Sequence, residues 1–152
     1  MRQLLAVLFL LSTLAIACAA DTGGRIVKVL PLYLDLQGQD AISPSLFDRD
    51  AYQFHLREHT NEISAIRFDV LWKAPAAKDA KLKLRVELRG VGEHGLPREA
   101  VLEKEITPGF FHNWTALKLD GSDYKNFGSL VAWRATLWNG GELLGEQKSF
   151  LW

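Results

Sequence analysis

The segment His55-Leu56-Arg57-Glu58-His59 sets two imidazoles four residues apart with a carboxylate just ahead of the second. On a helix that spacing puts both rings on one face, so the pair could hold a zinc ion while Glu58 handles a bound water. Gly90-Val91-Gly92-Glu93-His94-Gly95 offers three glycines at a spacing that lets backbone approach a phosphate, with Asp120 further along the chain. Five tryptophans, Trp72, Trp114, Trp133, Trp138 and Trp152, supply flat apolar rings that fill a core or, where exposed, stack on a sugar or a partner side chain. The single cysteine, Cys18, leaves no thiol pair for a disulfide or a thiolate metal site.

The elements that must carry these residues decide what they can do. Lys81-Leu82-Lys83-Leu84-Arg85-Val86-Glu87-Leu88-Arg89 alternates strictly, four aliphatics against five charges, which fits a strand with one face on a core and one in water. Ile66, Phe68, Val70 and Trp72 repeat the pattern, and Leu30, Leu32, Leu34 and Leu36 make a third apolar row in which Pro31 marks an edge strand. Further strands are expected at Ala100–Thr107, Trp114–Leu119, Leu130–Trp138 and Glu142–Leu151, the last two joined as a hairpin through Asn139-Gly140-Gly141. Between the first two strands a helix is expected through Ala51–Glu58, capped by Asp48, with Phe47, Ala51 and Phe54 on its apolar side. Ser122-Asp123-Tyr124 reads as a turn or a single helical turn.

About seven half-buried strands need a second sheet to cover their apolar faces. The expected fold is therefore all-β, an antiparallel two-sheet sandwich with one short helix between the first and second strands. The pattern resembles immunoglobulin-like and fibronectin type III-like domains at the level of the superfold, with Tyr124 placed roughly where such domains carry a corner tyrosine. That resemblance implies an architecture and no activity.

Against this background the two chemical motifs lose their context. His55-Leu56-Arg57-Glu58-His59 resembles the H-x-x-E-H signature of inverted zinc peptidases, which implies His55 and His59 as ligands and Glu58 at the water. Those enzymes set it in a large α/β domain with a further acidic ligand on another helix, whereas the surroundings here read as strands. The expectation is a solvated helix face, with a zinc hydrolase as the enzymatic alternative. The glycine segment resembles the dinucleotide-binding fingerprint, but that fingerprint follows a strand apolar on both faces, and this one carries five charges. The glycines are expected to connect two antiparallel strands. Neither a catalytic set nor a cofactor is expected. Trp138 falls on the opposite face from Trp133, and together with Trp114 it is the candidate for ligand binding, which makes a carbohydrate-binding module the alternative within the binding class.

Composition is that of an ordinary globular chain, 48% hydrophobic and 24% charged over 152 residues. Residues 1–19 have the order of a secretory signal: Arg2, an apolar run over Leu4–Ala17, then small residues before Asp21. Loss of this leader takes Arg2 from eighteen bases and leaves eighteen acids, so the net charge falls to −1, which favours neither nucleic acid nor an anionic membrane. Ala15-Ile16-Ala17-Cys18 resembles the bacterial lipobox, which implies Cys18 as a lipidated N-terminus; cleavage beyond Cys18 is the other reading. Residues 20–24 then form a short tether and 25–152 a single domain. The chain is expected to be exported to the periplasm, the outer membrane or the cell surface, touching the membrane only through a lipid anchor. Its expected partner is an envelope protein or a surface polysaccharide, bound without catalysis.

Lipidation at Cys18 is directly checkable. Cys18→Ser is expected to move the protein from the membrane to the soluble fraction without changing the melting temperature of the domain, because acyl chains hold by burial in the bilayer and not by contact with the fold. Mass spectrometry that finds an unmodified N-terminus at Ala20 or Asp21 would exclude the anchor.

Overall fold

Strand β3 (Leu82–Val91) buries Leu82, Leu84, Val86 and Leu88 and leaves Lys83, Arg85, Glu87 and Arg89 on the other side of the pleat. Strand β2 (Ile63–Lys73) does the same with Ile66, Phe68, Val70 and Trp72. These two rows meet in one core cluster, which fixes a sandwich. The computed structural model describes residues 23–74, 80–109 and 113–152. Among them the remaining strands are β1 (Arg25–Asp35), β4 (Pro97–Ile106), β5 (Asn113–Asp120), β6 (Ser129–Asn139) and β7 (Glu142–Lys148). Helix α1 (Leu46–Glu58) lies between β1 and β2, and helix α2 (Gly121–Phe127) between β5 and β6.

All pairings are antiparallel, in a three-stranded sheet of order β1-β2-β5 and a four-stranded sheet of order β4-β3-β6-β7. The expected two-sheet sandwich with a helix between the first and second strands is what the chain forms. Compared with an immunoglobulin constant domain, the fourth strand has changed sheets, pairing with the third strand instead of the fifth. Leu117 and Leu119 face the core from β5, Ala135 and Leu137 from β6. Trp72 is fully buried, and its indole N–H donates to the buried Thr115 hydroxyl at 2.9 Å, so a large ring enters the core without an orphaned donor. Trp133 meets Phe68 edge-on across the sheets, at 6.4 Å between centroids. Both rings sit on the core side, as their parity predicts.

Two glycines are needed where α2 meets β3. A Cβ on Gly90 would lie 2.6 Å from the Phe127 ring, and Gly128 has φ +78 with the Val91 carbonyl against it. Of the G-x-G-x-x-G segment, Gly90 and Val91 end β3 and Gly92–Gly95 begin the connection to β4, where His94 and Gly95 take positive φ and Gly92 N–H donates to Leu96 C=O. The β6–β7 hairpin turns at Gly140-Gly141 with Gly140 at φ +57, as expected.

Five expectations are corrected. Leu36 lies beyond the end of β1 and is exposed. Leu32 and Leu34 are buried, yet they pair with Arg67 and Ala65 and so lie on the outer face of the sheet, away from the main core. Helix α1 is capped by Ser45, whose hydroxyl accepts from Asp48 N–H, while the Asp48 carboxylate accepts from Ser43. Phe47, Ala51 and Phe54 share a helix face, as read, but that face points to solvent, and Gln53 and Leu56 are the residues that dock. The last strand stops at Lys148; Ser149 bonds both the N–H and the C=O of Trp133, and the chain then turns.

The two faces of β3 make a measurable contrast. Leu84→Ala is expected to cost about 2–5 kcal/mol through lost burial and the cavity left behind. Arg85→Ala removes only half-exposed ion pairs at 3.4 Å to Glu87 and Glu103, and is expected to cost within about 1 kcal/mol. Urea denaturation of the two variants checks this, and equal sensitivity would contradict the burial pattern.

Candidate functional site

Helix α1 brings His55 and His59 together, but not around a common point. Their rings stack at 4.1 Å between centroids with an interplanar angle of 21°. His55 Nε2 pairs with Glu62 Oε2 at 2.9 Å, and His59 Nδ1 pairs with the His55 carbonyl at 2.9 Å. Glu58 ends the helix on its exposed side. A zinc centre needs nitrogens converging at about 2.0–2.1 Å. Among the described residues no three His, Cys, Asp or Glu side chains are grouped to hold a metal. Asp120, the residue that mimics a ribose-binding acid, ends β5 and pairs with Lys118 at 2.6 Å.

Motif spacing does not single out a densely bonded polar cluster around Gln53 and Asp35. Gln53, only 4% exposed, accepts from Tyr33 N–H at 2.8 Å and donates to Tyr33 C=O at 2.8 Å and to Asp40 C=O at 2.9 Å. Its amide thus occupies the edge of β1 where a further strand would pair. Beside it, buried Asp35 accepts from Tyr52 Oη at 2.7 Å and from the N–H groups of Gln37 and Gln39 at 2.8 Å each. Burial alone would raise the Asp35 carboxyl, but these bonds outweigh it and hold the pKa below its ordinary value. The same hydrogen bond to Asp35, with burial, pushes the Tyr52 phenol up to about 12. Asp35-Leu36-Gln37-Gly38, with Gly38 at φ +80, is legible as a turn. Tyr52, which arrives from the helix, is not.

The candidate tryptophans lie on opposite outer faces. Trp114, 54% exposed, pairs with Leu71 on the outer side of the three-stranded sheet. Trp138 pairs with Lys83 on the outer side of the four-stranded sheet, half-buried, with its indole N–H on Thr136 Oγ1 at 2.9 Å. Trp152, which the sequence marks only as a terminal aromatic, folds over this second face. The guanidinium groups of Arg89 and Arg134 lie 4.0 Å and 4.9 Å from its ring centroids. Arg134 also pairs with Glu87 at 2.7 Å, within a lattice of alternating charges over β3, β4 and β6.

Among the described residues, two open surfaces bear on binding. A cleft of about 610 Å³ runs between the edges of β4 and β5, lined by the opposed charges of Arg98, Lys118, Asp120 and Asp123. The outward side of α1 carries Phe47 (80% exposed) and Phe54 (62%), next to a shallow apolar groove of about 360 Å³ between Ile42 and Ala51. Cys18 and the expected signal segment, residues 1–19, lie outside the described residues.

The Asp35–Tyr52 pair makes stability depend on pH at both ends. The Asp35 pKa is lower in the fold than in the unfolded chain, so its stabilising effect is present above about pH 4 and is lost as pH falls through the folded value. The Tyr52 pKa is raised, so its effect is intact below about pH 10 and is lost as pH climbs toward 12. Tyr52→Phe is expected to make both limbs shallower in urea titrations without removing them, because Asp35 keeps its bonds from Gln37 and Gln39 and burial also raises Tyr33 and Tyr124; unchanged limbs would contradict the coupling. No family model, curated protein or solved structure matches the chain.

Proposed function

We propose that the protein is exported and works in the cell envelope as a non-enzymatic binding or structural module, with Cys18 as its candidate lipid attachment. The order of charge, apolar run and small residues over 1–19 supports export. The engagement of His55 and His59 with Glu62 and a backbone carbonyl supports binding over hydrolysis. The observation that carries the binding role is the outward face of α1, which keeps Phe47 and Phe54 in solvent on a helix that had a polar face to offer. An exposed apolar patch of that kind marks an interaction surface.

A second reading, a carbohydrate-binding module, is favoured by one observation: Trp114 stands more than half exposed beside Leu71, open to stacking on a sugar ring. Trp138, held to Thr136, is the weaker candidate for that role.

Fractionation of native cells is expected to place the chain in the envelope with its N-terminus at Cys18 or within residues 19–21. Phe47→Glu with Phe54→Glu is expected to keep stability within about 0.5 kcal/mol of the wild type and to abolish the complex seen by cross-linking in intact cells. A chain retaining its leader in the cytoplasm, or a complex indifferent to both substitutions, would overturn the reading. Tryptophan quenching by surface polysaccharide, lost in Trp114→Ala, would move the conclusion to the second.

A further inference from the structure

Helix α1 carries its charges in an order that selects a partner. Phe47, Ala51 and Phe54 follow one another at helical spacing along the outward face. Asp50 and Arg57 stand two turns apart, on one edge of that face. Both are exposed; the Asp50 side chain keeps 80% of its surface in solvent, with Arg49 only at the 4.0 Å limit of pairing.

We infer that this face is a self-association surface, on which α1 of a second copy packs antiparallel about a twofold axis. The inference rests on the binding role proposed for the face and names its occupant. A twofold axis across two helices brings the same edge of each together and reverses their direction. The acid in the first half of one helix then meets the base in the second half of the other, and the contact is made twice. Midway between Asp50 and Arg57 the axis passes within about one residue rise of Phe54, so the two Phe54 rings meet at the centre. Phe47 and the groove beside Ala51 extend the apolar strip on either side.

Charge argues against the other occupants. An interfacial helix that lies on lipid is rich in Lys and Arg on its polar face. Here Asp48, Asp50 and Glu58 outnumber Arg49 and Arg57. The two phenylalanines leave roughly 300 Å² of aromatic surface open, the apolar centre of a small interface, below the roughly 800 Å² per partner of a standard one. The dimer is therefore expected to be weak and to dissociate on dilution.

Sedimentation equilibrium of the mature exported protein tests this. A concentration-dependent dimer is expected, weakened about tenfold or more by Phe54→Glu. Asp50→Arg and Arg57→Asp are each expected to weaken it, and the two together to restore it to within roughly threefold of the wild type. Circular dichroism melting of each variant keeps a folding defect from being read as lost association. A monomer at every concentration, or a double swap no better than the singles, would overturn the dimer. If the protein is monomeric while Phe47→Glu with Phe54→Glu still abolishes the envelope complex, the second copy is wrong and the binding role stands. If that complex also survives, both fall. Sedimentation with phosphatidylcholine vesicles that depends on Phe54 would overturn the dimer in favour of a lipid surface.

Discussion

The molecule depends on one packing constraint: the apolar row of β2 must lie against the apolar row of β3. Ile66, Phe68, Val70 and Trp72 on one side and Leu82, Leu84, Val86 and Leu88 on the other are all buried in a single cluster. Each such side chain contributes about 1.5–3 kcal/mol by leaving water. Because side chains alternate along a strand, this burial also dictates the outside. Lys83, Arg85, Glu87 and Arg89 have no other place to go than the solvated face, and they meet Glu103, Arg134 and Trp152 there. The charge lattice is a consequence of the core and not an independent construction.

The second level of organisation is the closing of the β1 edge. A strand edge with unpaired N–H and C=O groups is a hazard for association, and one remedy is to cover it with a helix. Gln53 does so by presenting its amide to Tyr33 as another strand would. Leu56 follows it onto the outer face of the sheet, where Leu32, Leu34, Ile63 and Ala65 form a burial site outside the main core cluster. Once α1 is bound through Gln53 and Leu56, its opposite face must point outward. The exposure of Phe47 and Phe54 is thus tied to the protection of β1: one edge is closed to strand pairing while an apolar helix face is opened.

That trade also bears on how the residues with chemical character are used. His55, within the docked turn, and His59, just past the end of α1, stack on each other and bond to Glu62 and to backbone. Tyr52, on the same helix, is drawn to Asp35 and completes the turn that ends β1. Side chains that look catalytic in order along the chain are spent on holding one helix and one turn in place. The face that α1 leaves in solvent is apolar and aromatic.

The sequence by itself determined the sandwich. Period-two alternation at Leu82–Leu88 and Ile66–Trp72 states which face of a strand is apolar, and apolar strand faces have few ways to be covered. It also determined the hairpin at Gly140-Gly141 and the existence of a helix near Ala51–Glu58, because turn chemistry and helical spacing are local. Tertiary structure decided which side of that helix is buried. By hydrophobicity alone Phe47, Ala51 and Phe54 should face inward, but the open edge of β1 offers hydrogen bonds that Gln53 satisfies and no phenylalanine can. It likewise decided that Leu32 and Leu34 face the helix instead of the second sheet, that Trp114 and Trp138 look in opposite directions, and that Tyr52 reaches Asp35. Each of these depends on pairing between segments distant in the chain, and local periodicity carries no information about what lies opposite a face.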